Sequence, residues 1–293
     1  TCRNKFEVKM DVGKTIQIFL PDGNPRSVKI AEITSRTVQA ILIPRTKLDY
    51  IFTREELNNV GVYLLVGNPE EDSKPLLYIG EAEECKIRIK QHNLSKDFWN
   101  YAIAIISKTQ YFTKTHIKFL EGFMYKEALR INRFNLENSS IPTMPYIAEW
   151  MKADLLDNFD TIKVLISTLG FPIFDEIKTS QKTDILYCKG KGASATGQFT
   201  DEGFLVFSGS ICNLKESNTA GAWIINMRQR LLEEKILIEK GDVYEFVSDY
   251  LFASPSAAAG AVLARRANGW TEWKYKNGKT IDEVKRQANY ENP

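Results

Sequence analysis

Two short apolar segments decide the fold, VGVYLLVG at 60–67 and LLYIG at 76–80. Both are rich in the β-branched and aromatic residues that favour strands. The polar loop NPEEDSKP at 68–75 separates them and contains the Pro, Asp, Asn and Ser residues that are typical of turns. Together these segments predict a β-hairpin with a loose tip.

The hairpin is followed by two helical segments with a strand between them. Residues 81–93 have helical spacing, YAIAIIS at 101–107 predicts the strand, and 115–132 predicts an amphipathic helix. Upstream, apolar runs alternate with turn residues over 15–43, which predicts a small sheet of two or three strands. The order β-β-α-β-α indicates the α+β class, with a small mixed sheet flanked by helices.

The C-terminal part also alternates between strand-like and helical runs. Ser254 can cap the free N–H groups of a helix that has Pro255 at its first position. Thr280 with Glu283 forms a second helix start, of the capping-box type. We therefore expect four regions, namely a β-rich N-terminal segment at 1–55, a central α+β domain at 56–145, a helical linker at 146–182 and a C-terminal α+β domain at 183–293.

The composition is that of a soluble globular protein, with 293 residues, 39 Lys and Arg against 37 Asp and Glu, and 43% hydrophobic residues. The longest apolar runs, at 164–174 and 257–264, are shorter than the roughly 20 residues of a membrane-spanning helix, so no transmembrane segment is expected. The first ten residues lack the basic-then-apolar pattern of a secretory signal, and we expect a cytoplasmic protein. Its cysteines have no metal-type spacing and are expected to be reduced thiols: Cys2, Cys85, Cys188 and Cys212.

The chemistry is carried by a pattern spread over 59–121, in which GVY at 61–63 and YIG at 78–80 are followed by Arg88 and Glu121. This pattern resembles the GIY-YIG nuclease family over about 60–140, with valine in place of the usual isoleucine of the first tripeptide. In that family the two tripeptides lie on adjacent strands, an arginine follows eight residues after the second, and a glutamate lies on a later helix. The resemblance implies hydrolysis of phosphodiester bonds by five catalytic residues: Tyr63, Tyr78, Arg88, His92 and Glu121.

Elementary chemistry is consistent with those roles. Arg88 and His92 are four residues apart, so a helix places them on one face, where both can converge on a phosphate. An arginine suits that task because its guanidinium stays charged and offers paired N–H donors. A single carboxylate, Glu121, suits a hard ion, Mg²⁺ or Mn²⁺, that keeps several waters and takes one protein oxygen.

The general base is left open between Tyr63 and His92. A tyrosine titrates near pH ~10 and would need a nearby cation to lower its pKa, whereas the unperturbed pKa of a histidine already suits proton transfer. Two further positions bear on the resemblance. Glu81 follows the second tripeptide where several relatives have lysine. Some relatives also carry an asparagine after the metal helix, and Asn135 or Asn138 could match it.

The segment 249–284 resembles a domain of unknown function often found behind GIY-YIG nuclease domains in bacterial proteins, through SPSAA at 254–258 and NGW at 268–270. It is also similar to a domain attached to restriction enzymes and DNA adenine methylases. That similarity implies a role in targeting DNA. Residues 251–293 hold seven Lys and Arg against four Asp and Glu, with aromatic residues interleaved, which fits a surface that contacts phosphates.

The sequence therefore predicts a metal-dependent DNA endonuclease with a single-metal site. The possible nucleic-acid contacts are Lys90, Asn138, Arg265, Arg266, Trp270 and Lys274. Cutting both strands with one site would require a homodimer or two successive events, so nicking is an equal expectation. Two alternatives stay open, a non-catalytic DNA-binding scaffold and a nuclease for RNA or for branched or modified DNA. His116 is expected on the surface of its helix, away from the site.

Overall fold

The computed structural model describes residues 13–67, 74–176 and 185–287. The chain divides into two compact units, Thr1–Glu176 and Ile177–Pro293. The expected boundaries at 55/56 and 145/146 therefore fall inside the first unit. The expected tip of the hairpin and the end of the expected linker lie in 68–73 and 177–182, outside the described residues, as does Cys2.

The first unit is built on a seven-stranded sheet in the order β1-β2-β3-β6-β4-β5-β7. Its strands are β1 (Ile16–Phe19), β2 (Lys29–Ile33), β3 (Val38–Pro44), β4 (Gly61–Gly67), β5 (Leu76–Ala82), β6 (Tyr101–Ser107) and β7 (Asn135–Leu136). The helices are α1 (Leu48–Ile51), α2 (Cys85–Ser95), α3 (Lys114–Ile131) and α4 (Glu149–Thr168), with 3₁₀ turns at Arg45–Lys47 and Glu55–Asn58. The predicted β-β-α-β-α order is confirmed as β4-β5-α2-β6-α3.

The predicted N-terminal strands form, but they do not make a separate sheet. β3 pairs antiparallel with β6 along its whole length, from Val38 opposite Ser107 to Pro44 opposite Tyr101. The sheet thus continues from β1 to β7 without a break. β3 is buried on both faces and has β2 on one side, so its other side is free to pair with β6 of the central sheet.

Two apolar clusters cover the two faces of this sheet. On one face Val62 and Leu64 of β4 pack with residues of α3 and α4. On the other face Tyr63 and Leu65 pack with residues of α1 and α2. Because side chains alternate along a strand, the two tripeptides present their tyrosines to α2, while α3 lies against the opposite face. The helical segment expected as a linker is α4, and its buried residues belong to the core of this unit.

The second unit is also mixed α and β. Its eight-stranded sheet has the path β12-β13-β11-β9-β10-β14, with β8 pairing β9 and β15 pairing β8. The strands are β8 (Leu186–Lys189), β9 (Ser194–Thr200), β10 (Gly203–Val206), β11 (Ile211–Asn213), β12 (Leu237–Lys240), β13 (Val243–Phe246), β14 (Tyr250–Phe252) and β15 (Lys274–Tyr275). The helices are α5 (Ala222–Glu233), α6 (Pro255–Leu263) and α7 (Gly269–Glu272).

Both predicted helix starts of the second unit are confirmed. The Ser254 hydroxyl accepts a hydrogen bond from the Ala257 N–H, with Pro255 at the first position of α6. Thr280 and Glu283 exchange hydrogen bonds as a capping box does, and a π-helical turn, Glu283–Gln287, follows. The two units together make the chain an α+β protein, as the sequence predicted.

The expected surface position of His116 is wrong. His116 is buried because it is the third residue of α3 and its ring folds back onto the cap. Its Nδ1 accepts from the Thr113 N–H at 3.3 Å, while the Thr113 hydroxyl accepts from the His116 N–H. The histidine therefore has a structural role at the start of the helix that carries Glu121.

Candidate active site

The glycines of both tripeptides are required by close packing. Tyr63 of β4 lies directly opposite Gly80 of β5, and a Cβ at position 80 would overlap the Tyr63 ring and hydroxyl. A Cβ at Gly61 would overlap the Ile105 carbonyl and come within 2.9 Å of the Cys85 sulfur. Each glycine thus makes room for a neighbour that the site or the start of α2 needs.

Three aromatic side chains converge on the α2 face of the hairpin. The Tyr63 hydroxyl lies 2.8 Å from Nε2 of His92 in a buried hydrogen bond. The Tyr78 ring centroid is 5.0 Å from that of His92 and 6.1 Å from that of Tyr63. Tyr63 and His92 are buried and Tyr78 is partly exposed, so Tyr78 is the member of the three that reaches the surface.

Burial controls the protonation of this cluster. The pKa of His92 is lowered to about 4, mainly by burial and also by the positive charges of Arg88 and Lys96. Burial also raises the pKa of Tyr63 well above its usual range, and Arg88 only partly opposes that shift. At neutral pH the imidazole is therefore neutral and the phenol is protonated. His92 Nδ1 is buried without a hydrogen-bond partner in the described part of the chain.

Arg88 of α2 and Lys96, just after that helix, lie close enough to this cluster for their charges to act on His92. Arg88 is exposed, and its Nη1 donates to Oε1 of Gln91 on its own helix at 2.9 Å, while its guanidinium also interacts with the Tyr63 hydroxyl and opposes the rise in the pKa of that phenol. The Lys96 ammonium lies 4.6 Å from the centre of the Tyr78 ring. Lys90 is exposed as well. Arg88 thus has donors left for an anion that approaches Tyr78.

Glu121 lies on α3 at the outer edge of β5, beside the opposite face of the sheet. The pKa of Glu121 is raised to about 7, mainly by burial and also by the nearby carboxylate of Glu81. The Glu81 backbone N–H and the ammonium of Lys114 oppose this shift. Lys114 is engaged elsewhere, by Glu81 at 2.9 Å and by Glu83 at 3.4 Å. Lys118 opposes the shift as well, yet the pKa of the Glu121 carboxyl stays raised.

Asn138 lies at the same edge of β5, where it contacts Ile79, two residues before Glu81. Its side-chain oxygen accepts from the Ile79 N–H at 3.1 Å, and its amide donates to the Ile79 carbonyl at 2.7 Å. The edge thus continues from β7 through Asn138 to Glu121. Of the two asparagines considered from sequence, this one is next to the site, whereas Asn135 belongs to β7.

The residues at Glu121 fit a hard divalent cation. A half-buried carboxylate with a raised pKa and a second carboxylate close by would both be relieved by such an ion. Among the described residues, no three His, Cys, Asp or Glu side chains gather as a metal cluster would require. An ion at Glu121 would therefore take most of its ligands from water and from a substrate oxygen.

The residues of the second unit that were predicted to contact nucleic acid lie in different environments. Arg265 pairs with Glu272 at 2.8 Å, while Arg266 and Lys274 are exposed. Trp270 is half-buried between Phe199 and the guanidinium of Arg286, which lies 3.5 Å from its ring centre. Trp273 is fully buried, with its indole N–H donating to the Pro255 carbonyl, so this tryptophan belongs to the core.

Sequence reasoning missed a pocket of about 510 Å³ in the second unit. Its lining includes Trp223, Arg265, Arg266 and Asn268. Trp223 is 45% exposed, at the start of α5. The pocket combines an exposed aromatic ring with guanidinium groups, but Trp223 and Arg266 are more than forty residues apart in sequence and no local pattern relates them.

The comparison with protein families matches one part of the chain. Residues 186–285 fit the model described as "Domain of unknown function (DUF4357)", which covers about a third of the chain and lies within the second unit. This agrees with the domain of unknown function expected over 249–284. The matched range does not include the cluster around Tyr63 and Glu121. Neither the curated proteins nor the solved structures gave a match.

Within the described residues, no helix has both the length and the apolar character needed to cross a bilayer.

Proposed function

We propose that the first unit hydrolyses phosphodiester bonds in DNA in the manner of GIY-YIG nucleases, with Mg²⁺ or Mn²⁺ held by Glu121. The observation that carries this proposal is the Tyr63–His92 hydrogen bond at 2.8 Å, beside Tyr78 and an exposed Arg88. Two tyrosines, a neutral imidazole and an exposed guanidinium on the α2 face of the hairpin match the requirements of phosphoryl chemistry. Those requirements are a proton acceptor and a binder of phosphate oxygens.

The structure favours His92 as the proton acceptor, acting through Tyr63. Because its pKa is about 4, His92 is neutral at pH 7 and can accept a proton at Nε2. Tyr63 has a raised pKa and is a poor base alone, but it can pass its hydroxyl proton to His92 while its oxygen takes a proton from the attacking water. The proton count balances, since the water becomes hydroxide and His92 becomes imidazolium.

Arg88 and Glu121 would each act on the phosphate. Arg88 would bind the non-bridging oxygens of the scissile phosphate, where its paired N–H donors oppose the developing charge. Glu121 would hold the divalent cation, which supplies charge stabilisation for the phosphate and the leaving oxygen. Tyr78, the partly exposed tyrosine, would orient the same phosphate beside Lys96.

The second unit would target the nucleic acid. The exposed Arg266 and Lys274, and the pocket beside Trp223, offer the positive charge and the aromatic surface that such contacts use. A non-catalytic DNA-binding protein would use the same surface, so catalysis has to be tested in the first unit. One site per chain also means that double-strand cleavage would need a homodimer or two events.

The test is an incubation of the full chain with supercoiled, linear, single-stranded and modified DNA, and with RNA, in Mg²⁺, Mn²⁺ or chelator. We expect metal-dependent cutting that Arg88→Ala abolishes and Lys86→Ala, on the same helix, leaves intact. Melting curves of both variants should match that of the unaltered chain, because Arg88 is exposed. Equal cutting by Arg88→Ala, or no cutting of any substrate while DNA is still bound, would refute the hydrolase.

A further inference from the structure

The segment 137–148, between β7 and α4, forms an extended strap beside the candidate active site. It has no regular secondary structure, and Pro142 and Pro145 restrict its backbone. One end is held by the two hydrogen bonds between Asn138 and Ile79. The other end is held by Ile147, which packs on the apolar core. The strap is therefore anchored at both ends rather than free.

The strap and the first turn of α4 present apolar and aromatic side chains to solvent. Tyr146 is 97% exposed, Ile141 is 70% exposed and Trp150 is 65% exposed. A tyrosine and a tryptophan are large surfaces that a fold normally covers. These side chains are held outward by an anchored backbone, so they are available to a partner.

The strap passes close to Glu121. Asn138 is bonded to Ile79 of β5, and the backbone N–H of Glu81, two residues further along β5, faces the Glu121 carboxylate. Ile79 and Glu81 are about 7 Å apart along the strand. Further on, Met144 crosses α3 at Gly122, where a Cβ would lie 3.2 Å from the Met144 Cβ. Tyr146 is two residues beyond that crossing, so its backbone lies within roughly 15 Å of that of Glu121. This distance corresponds to a few nucleotides.

Lysines flank the crossing on α3. Lys118 and Lys126 lie one turn before and one turn after Gly122, and side chains four residues apart share a helix face. Both are exposed, and the charge of Lys118 also acts on the nearby Glu121 carboxylate. The strap region itself carries the acidic Glu137 and Glu149, so the positive charge of this surface comes from α3.

We propose that the strap binds one strand of nucleic acid with unpaired bases, which stack on Tyr146 and Trp150 while phosphates approach Lys118 and Lys126. This inference rests on the proposed function, because it names the form of substrate that the site receives. Bases inside a duplex have both faces occupied by neighbours, whereas an unpaired strand offers free faces to protruding rings. The substrate would thus be single-stranded DNA, or a single-stranded region next to a duplex.

The experiment measures binding of a labelled thymidine oligonucleotide, about twenty nucleotides long, and of a hairpin duplex of similar charge, in chelator and in a Glu121→Gln background that prevents cutting. We expect Tyr146→Ala with Trp150→Ala to weaken single-strand binding at least about ten-fold. Binding should be kept in Tyr146→Phe with Trp150→Phe, which preserves the rings. The matched control is Phe19→Ala, since Phe19 is 58% exposed in β1, at the opposite edge of the sheet.

Unchanged single-strand affinity in a double-alanine variant that melts normally would overturn the proposal, and would leave the strap to a protein partner. An equal loss for the duplex would also overturn it. The hydrolase is judged separately, in chains that retain Glu121. Strap-dependent binding without any metal-dependent cutting would support the strap as a single-strand binding site and refute the hydrolase. Cutting of single strands at an unchanged rate by the strap variants would support the hydrolase and refute the role of the strap.

Discussion

The ring of Tyr63 covers Gly80 on the neighbouring strand so closely that a Cβ at position 80 would overlap the ring and its hydroxyl. The hydroxyl reaches past the glycine to His92, and a side chain at position 80 would occupy the path of the ring. The second tripeptide thus serves the first one. Its glycine leaves space for the tyrosine that makes the buried hydrogen bond.

Gly80→Ala should destabilise the chain by about 2 kcal/mol, because the methyl group overlaps a ring that is enclosed on its other sides. Urea unfolding measures the effect. Gly13→Ala is the matched control, since a Cβ there meets nothing within 4 Å. Equal stability of Gly80→Ala and the unaltered chain would mean that Tyr63 does not lie over the glycine.

Tyr63→Phe should lower both stability and cleavage. It removes the hydroxyl and leaves Nε2 of His92 buried without its partner, which costs about 1–2 kcal/mol. Cleavage should fall more than stability explains, because the path for the proton to His92 is lost. Tyr50→Phe, at a partly buried tyrosine packed against the same cluster, is the control. A Tyr63→Phe variant that cuts normally would remove the relay from the mechanism.

Acid should weaken the chain through His92. The folded pKa of His92 is about 4 and its ordinary value is 6.5. Between those values the unfolded chain holds a proton that the folded chain lacks, so stability is lost as pH falls through this window. The loss is on the order of 2 kcal/mol, and His92→Gln lacks it. Urea midpoints of the two chains from pH 7 to pH 4 measure it, and parallel curves would contradict the lowered pKa.

Arg228→Met should destabilise the second unit by about 3 kcal/mol. Arg228 is 1% exposed and bonds to the Ala261 and Asn213 carbonyls and to Glu216, so its loss leaves carbonyl groups without partners. Hydrogen exchange of α6 and β11 should accelerate, while exchange in the first unit stays unchanged. The exposed Arg266→Met serves as control. If both variants exchange alike, the arginine does not join α5 to its neighbours.

The local features of the first unit could be predicted from the sequence. Alternation of apolar residues located β4, β5 and β6, and the spacing of Arg88 and His92 placed both on α2. Tyr63 and His92, the two rivals for the role of base, turn out to be bonded to each other. That contact joins two residues 29 positions apart in the chain, which a local sequence pattern cannot express.

Features that depend on long-range pairing were beyond the sequence. The pairing of β3 with β6 joins the N-terminal strands to the central sheet, and no turn signal encodes it. The ring of His116 folds onto its own cap, so a helical wheel placed it on the surface incorrectly. Asn138 was chosen as a nucleic-acid contact, yet its amide is committed to Ile79, and its contribution is to fix the strap next to Glu121.

The role proposed for Glu121 is to hold a divalent cation for phosphodiester cleavage, and the rate of DNA cutting as Mg²⁺ is titrated measures that role most directly. Glu121→Gln should abolish cutting at every concentration, whereas Glu127→Gln, on the same helix and paired with Arg130, should cut with the Mg²⁺ dependence of the unaltered chain. Both variants should fold normally. Cutting by Glu121→Gln at the unaltered rate would contradict that role.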